Sequence, residues 1–163
     1  DAEVAAVSNS AGIIAAEDKS TGWSTVVSDN FNVPAGETRS ISFTNYTSQA
    51  NNLSNIAIVL RKADLAEYAV VRADNYGWGA GYDGNASLVH NGTQGDWAAW
   101  LADMNGAKVT VYVTNCGNGT ADIQAVMKGT SGTSYAQYYL GINKLDMNDL
   151  NFALTIEGGH LVF

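Results

Sequence analysis

Twelve residues from Arg72 to Asp83, Arg-Ala-Asp-Asn-Tyr-Gly-Trp-Gly-Ala-Gly-Tyr-Asp, hold three aromatics, two acids, one arginine and three glycines. Glycine at Gly77, Gly79 and Gly81 is too dense for a regular helix or a long strand. The expectation is a loop at the end or rim of a sheet that carries Tyr76, Trp78 and Tyr82. Large rings on a loop are costly to leave in water unless they pack or bind something. Either the loop folds back as a lid on the core, or it forms a ligand platform. In the second case the rings stack, and Arg72, Asp74 and Asn75 supply hydrogen bonds. Tyr112 and Gln124 join this set, because each falls on the polar face of an alternating strand and the two strands read as neighbours. Aromatics and amides of this kind suit sugars, whose C–H faces cover rings and whose hydroxyl rims meet amides, acids and arginine.

Other chemistries lack their residues. A glycoside hydrolase needs two carboxyl groups about 5–10 Å apart across a groove. Glu37, Glu67, Asp74, Asp83, Asp96 and Glu157 are available, but none belongs to a closely spaced acidic motif on one strand face. No serine lies in a Gly-x-Ser-x-Gly elbow, and no glycine loop leads into a helix as a phosphate cradle would. Cys116 is the only cysteine, so no internal disulfide forms, and His90 and His160 are the only histidines. No cofactor is expected. Structural calcium remains open through Asp146, Asn148 and Asp149, whose oxygens suit that ion.

The chain of 163 residues suits one domain, expected over residues 1–163. It is 46% hydrophobic and only 15% charged, a balance common in extracellular all-β domains. The net charge of −8 disfavours nucleic acid, anionic membranes and acidic polysaccharides as partners. No apolar run reaches membrane-spanning length, and no signal-peptide pattern is present. Asn-x-Ser/Thr triplets begin at Asn45, Asn52, Asn85, Asn91 and Asn118, as chance allows in a chain rich in these residues.

The elements that must position these residues are mostly strands. Short edge strands are expected near Val4, Val7, Ile13 and Ile14. Clearer strand character runs from Trp23 through Val33. Arg39–Tyr46 alternates, with Ile41 and Phe43 on one face and Ser40, Ser42 and Thr44 on the other. Ile56–Arg61 is nearly continuous in apolar residues and reads as a central strand. Glu67–Arg72, Leu88–His90, Lys108–Thr114, Ala121–Lys128, Ser134–Ile142 and Phe152–Ile156 follow. A turn is expected at Gly158-Gly159, before a last apolar strand, Leu161–Phe163. One helix is expected from an Asp96 N-cap to a Gly106 stop, with Trp97, Trp100, Leu101 and Met104 on its core face. Nine or ten strands with turn signals every eight to twelve residues point to an antiparallel sandwich or barrel with one short helix.

This pattern resembles the β-jelly-roll carbohydrate-binding modules appended to bacterial polysaccharide-degrading enzymes. The resemblance lies in Phe31-Asn-Val-Pro-Ala-Gly36, Asn45-Tyr-Thr with Asn51-Asn52, Tyr68–Gly79 and the closing Leu154–Phe163. It implies an all-β jelly-roll sandwich, secreted or at the cell surface and attached to a larger enzyme or surface protein. It also implies lectin-like, non-catalytic binding of a neutral plant or algal polysaccharide such as a β-glucan. Two other readings stay open: a glycoside hydrolase or polysaccharide lyase on the same fold, and an adhesive or structural domain that binds protein.

Overall fold

The computed structural model describes residues 5–8, 19–20, 26, 28–47, 56–72, 77–79, 87–91, 102–142 and 150–163. These form twelve strands: β1 (Ala5–Ala6), β2 (Lys19–Ser20), β3 (Phe31–Val33), β4 (Thr38–Thr47), β5 (Ile56–Arg61), β6 (Glu67–Arg72), β7 (Gly77–Gly79), β8 (Ser87–Asn91), β9 (Ala107–Asn115), β10 (Ala121–Lys128), β11 (Ser134–Ile142) and β12 (Leu150–Val162). A single helical turn, α1, covers residues 102–104. The protein is an all-β sandwich.

Strand β12 belongs to both sheets. Its first half pairs antiparallel with β5, from Asn151 opposite Arg61 to Ile156 opposite Ile56, and its other edge pairs with β3. Its second half pairs with β4, from Gly159 opposite Thr47 to Val162 opposite Thr44. The smaller sheet therefore runs β7-β6-β5-β12, with β3 beyond β12. The larger runs β12-β4-β9-β10-β11-β8, with β1 beside β4 and β2 beside β12. Among the described residues only the β1–β4 pairing is parallel.

Gly158 makes the crossing possible. Its φ of +74° lies in the left-handed region, and the register against β2 shifts between Glu157 and Gly159. Strands that change sheets at such irregularities form the corners of sandwiches. The turn expected at Gly158-Gly159 is therefore a bend inside one long strand. Two expected strands are one because hydrogen bonding passes through the bend to new partners.

The core lies between the sheets. Phe152, Leu154 and Ile156 from β12 join Ile58 and Leu60 from β5, with Ile41, Phe43, Val111 and Ile123 from the larger sheet. Phe31 and Phe152 meet with ring centroids 5.2 Å apart. Every residue from Ile56 to Leu60 is buried, as expected for a central strand. Ala57, Val59 and Val70 form a second apolar cluster with Val26, so the smaller sheet is buried on both faces. The larger sheet differs. On β9 and β10 buried, mostly apolar residues alternate with exposed or half-buried ones that are polar apart from Val126, the pattern of a sheet with one wet face.

The helix ends where expected. Gly106 has φ +102° and donates its N–H to the Asn45 carbonyl at 2.6 Å. Asp96, Trp97, Trp100 and Leu101 lie outside the described residues; Met104 is buried in the core.

Candidate functional site

The wet face of the larger sheet carries the arrangement closest to a binding surface. Its rows follow from strand register. Ser40 on β4 stands opposite Tyr112 on β9, which stands opposite Gln124 on β10. The expected neighbourhood of Tyr112 and Gln124 is thus found, as a directly opposed pair. The next row is Ser42, Thr110 and Val126, where the Ser42 and Thr110 hydroxyls lie 2.9 Å apart. On the other side Thr38 and Thr114 share a hydroxyl contact of 2.7 Å, beside Asp122. Such cross-strand hydroxyl pairs stabilise the pairing of β4 with β9. Farther along, Thr44, Lys108 and Lys128 form a row.

At one corner Tyr46 pairs with His160 across β4 and β12, and the rings stack at 4.8 Å with planes 12° apart. Tyr46 is 37% exposed. Neither residue was a sequence candidate, although Tyr46 continues the outward alternation of Ser40, Ser42 and Thr44. An open depression of about 380 Å³ lies beside this corner, lined by Ser42, Phe43, Thr44, Lys108, Val109, Thr110, Val162 and Phe163.

The other sequence candidates fall elsewhere. Arg72 closes β6 opposite Ala57. Trp78 is not in a loop: Gly77–Gly79 is the short edge strand β7, with Trp78 paired to Val70. The glycines forbid a long strand but not a three-residue one, because β6 supplies the partner groups. Arg72 and Trp78 thus belong to the smaller sheet, and Tyr112 and Gln124 to the larger. Asp74, Asn75, Tyr76 and Tyr82 lie outside the described residues, as do Asp146, Asn148 and Asp149. No group of three or more His, Cys, Asp or Glu residues that could hold a metal occurs among the described residues.

Asp122 is the one acid that the described residues of β4, β9, β10 and β11 contain. Asp103, at α1, is buried, but its bonds explain it as structure. Its carboxylate accepts from the Tyr135 hydroxyl and the Ser131 hydroxyl, each at 2.7 Å, and from the Ser131 N–H at 3.0 Å. Burial pushes this carboxyl up, but the bonds from Ser131, Tyr135 and Thr130 outweigh it and hold it below its ordinary value. That is the opposite of a general acid. Burial raises the Cys116 thiol, with Asp122 adding to the shift against a hydrogen bond from Thr120, which disfavours a nucleophilic thiolate.

No protein-family model, curated protein or solved structure matches the chain.

Its buried asparagines were also missed by sequence. Asn45 donates to the Met104 carbonyl at 2.9 Å and Asn115 to the Val33 carbonyl at 3.1 Å. Asn151 accepts from Asn30 and Asn32. They tie β9 to β3, β4 to α1, and β12 to β3 and the residues before it. Asn45 is 4% exposed, so its triplet is not open to modification in the folded protein.

Proposed function

We propose that this protein is a non-catalytic polysaccharide-binding domain that contacts neutral sugar units through the wet face of its larger sheet. The observation that carries this reading is the Tyr112–Gln124 pair. A phenol ring and an amide stand directly opposite each other on two rigid strands, within a field of serine and threonine hydroxyls. Strand-borne groups need little ordering on binding, which favours recognition of a flexible chain. Ring surface suits the C–H face of a pyranose, and the Gln124 amide can donate to and accept from its hydroxyls. Asp122, the one acid in the described residues of β4, β9, β10 and β11, fits binding without turnover. The stacked Tyr46–His160 pair extends the aromatic surface toward one corner. Attachment to a larger secreted or surface protein belongs to the same reading.

A glycan array run alongside a product assay tests it. Binding of neutral oligosaccharides without cleavage is expected. Released sugar would favour a hydrolase or lyase, and neither binding nor cleavage would favour a protein-binding role.

A further inference from the structure

Lys108 and Lys128 stand directly opposite each other across β9 and β10. Opposed side chains begin about 5 Å apart, and like charges in this position oppose sheet formation. Both lysines are exposed. The one ion pair among the described residues is Arg39–Glu37, so no described carboxylate matches either lysine. The described residues that flank the pair on this face, Thr44, Ser134, Thr110 and Val126, are all uncharged. Among the described residues no carboxylate faces this pair, and a ligand carboxylate would supply one.

The open depression of about 380 Å³ is lined by Lys108 and lies on the side of β9 away from Lys128. Lys108 contributes a cation to it, Ser42, Thr44 and Thr110 contribute hydroxyls, and Val162 and Phe163 contribute apolar surface. Those are the three kinds of contact that an acidic sugar needs. The net charge of −8 does not forbid this, because charges beyond about 8 Å are largely screened at physiological salt, whereas the ammonium groups act at contact.

We propose that Lys108 and Lys128 form a subsite for the carboxylate of a uronic-acid unit in the bound polysaccharide. This rests on the polysaccharide reading above. The subsite lies four residues along β9 from Tyr112, about 13 Å at the rise of a strand. A chain with neutral units over Tyr112 therefore places an acidic unit farther along the same face.

Calorimetric titration of the full chain with galacturonate, glucuronate and mannuronate oligomers, each beside its neutral methyl ester, tests the subsite. At low salt at least one acid should bind about threefold or more tighter than its ester, and the gain should shrink at physiological salt. Lys108→Gln and Lys128→Gln should each remove the gain for the acid and leave the ester unchanged. Thermal unfolding of both variants should show no loss of stability. Equal binding of acid and ester, normal acid binding by both variants, or preference for a sulfated oligomer would overturn the subsite. Neutral oligomers that bind without any acid preference would sink this inference and leave the polysaccharide reading standing. If acid, ester and neutral oligomers all fail to bind, both fall.

Discussion

The Tyr135 hydroxyl donates to the Asp103 carboxylate at 2.7 Å, joining the start of β11 to the helical turn before β9. Asp103 also holds the Ser131 hydroxyl and N–H, so one carboxylate organises the turn between β10 and β11. Gly129 lies so close that a Cβ there would sit 2.5 Å from Asp103 Oδ2. The buried acid is thus a structural tie between α1 and the β10–β11 turn.

This tie makes stability depend on pH at both ends. The folded-state value of Asp103 lies below its ordinary 3.8, so its contribution is complete above that pH and is lost as pH falls through the lower folded value. Tyr135 moves the other way. Burial first, then the Asp103 bond and charge, raise its hydroxyl above 10.0, so that contribution is complete below pH 10.0 and is lost as pH rises through the folded value. Melting temperature measured across pH should show Asp103→Asn weakening the acid limb and Tyr135→Phe the alkaline limb. Tyr135→Phe should cost about 1.5–3 kcal/mol at neutral pH, the worth of a hydrogen bond to a charged group. An unchanged profile in both variants would show that the tie does not contribute.

Gly158 should resist substitution. An L side chain in its left-handed conformation costs about 1–2 kcal/mol, and asparagine costs less. Denaturant unfolding should rank wild type above Gly158→Asn and Gly158→Asn above Gly158→Ala. Equal stability of the three would mean that β12 does not need this bend.

Tyr112 and Trp78 separate two possible locations for the sugar. Tyr112→Ala should weaken binding of a neutral oligosaccharide by about tenfold or more, and Gln124→Ala should weaken it less, with little change in melting temperature. Trp78→Ala, on the edge strand of the smaller sheet, distinguishes a second contact area from a core role. Weaker binding with normal melting identifies a contact, whereas normal binding with a much lower melting temperature identifies a core lid.

Neutral sugars carry no charge to pair, so their affinity should change little between low and physiological salt. Titration of a neutral oligomer at both salts measures this. A tenfold loss would mean that charge pairing dominates even the neutral contact.

Local pattern was enough for much of this architecture. The alternation of Val109, Val111 and Val113 with Thr110, Tyr112 and Thr114 determined a half-wet strand, because successive side chains point to opposite faces. The unbroken run Ile56–Leu60 determined a strand buried on both sides, and Gly106 determined the helix stop. Tyr112 and Gln124 were legible as outward residues for the same reason. What sequence could not determine was pairing at a distance. That Tyr46 stacks on His160, that Lys108 meets Lys128, and that Tyr135 reaches Asp103 depend on strand register and on which strands become neighbours. The glycines at Gly77, Gly79 and Gly158 show the same limit. A glycine permits a turn, an edge strand or a bend equally well, and only the partners available in the folded sheets decide among them.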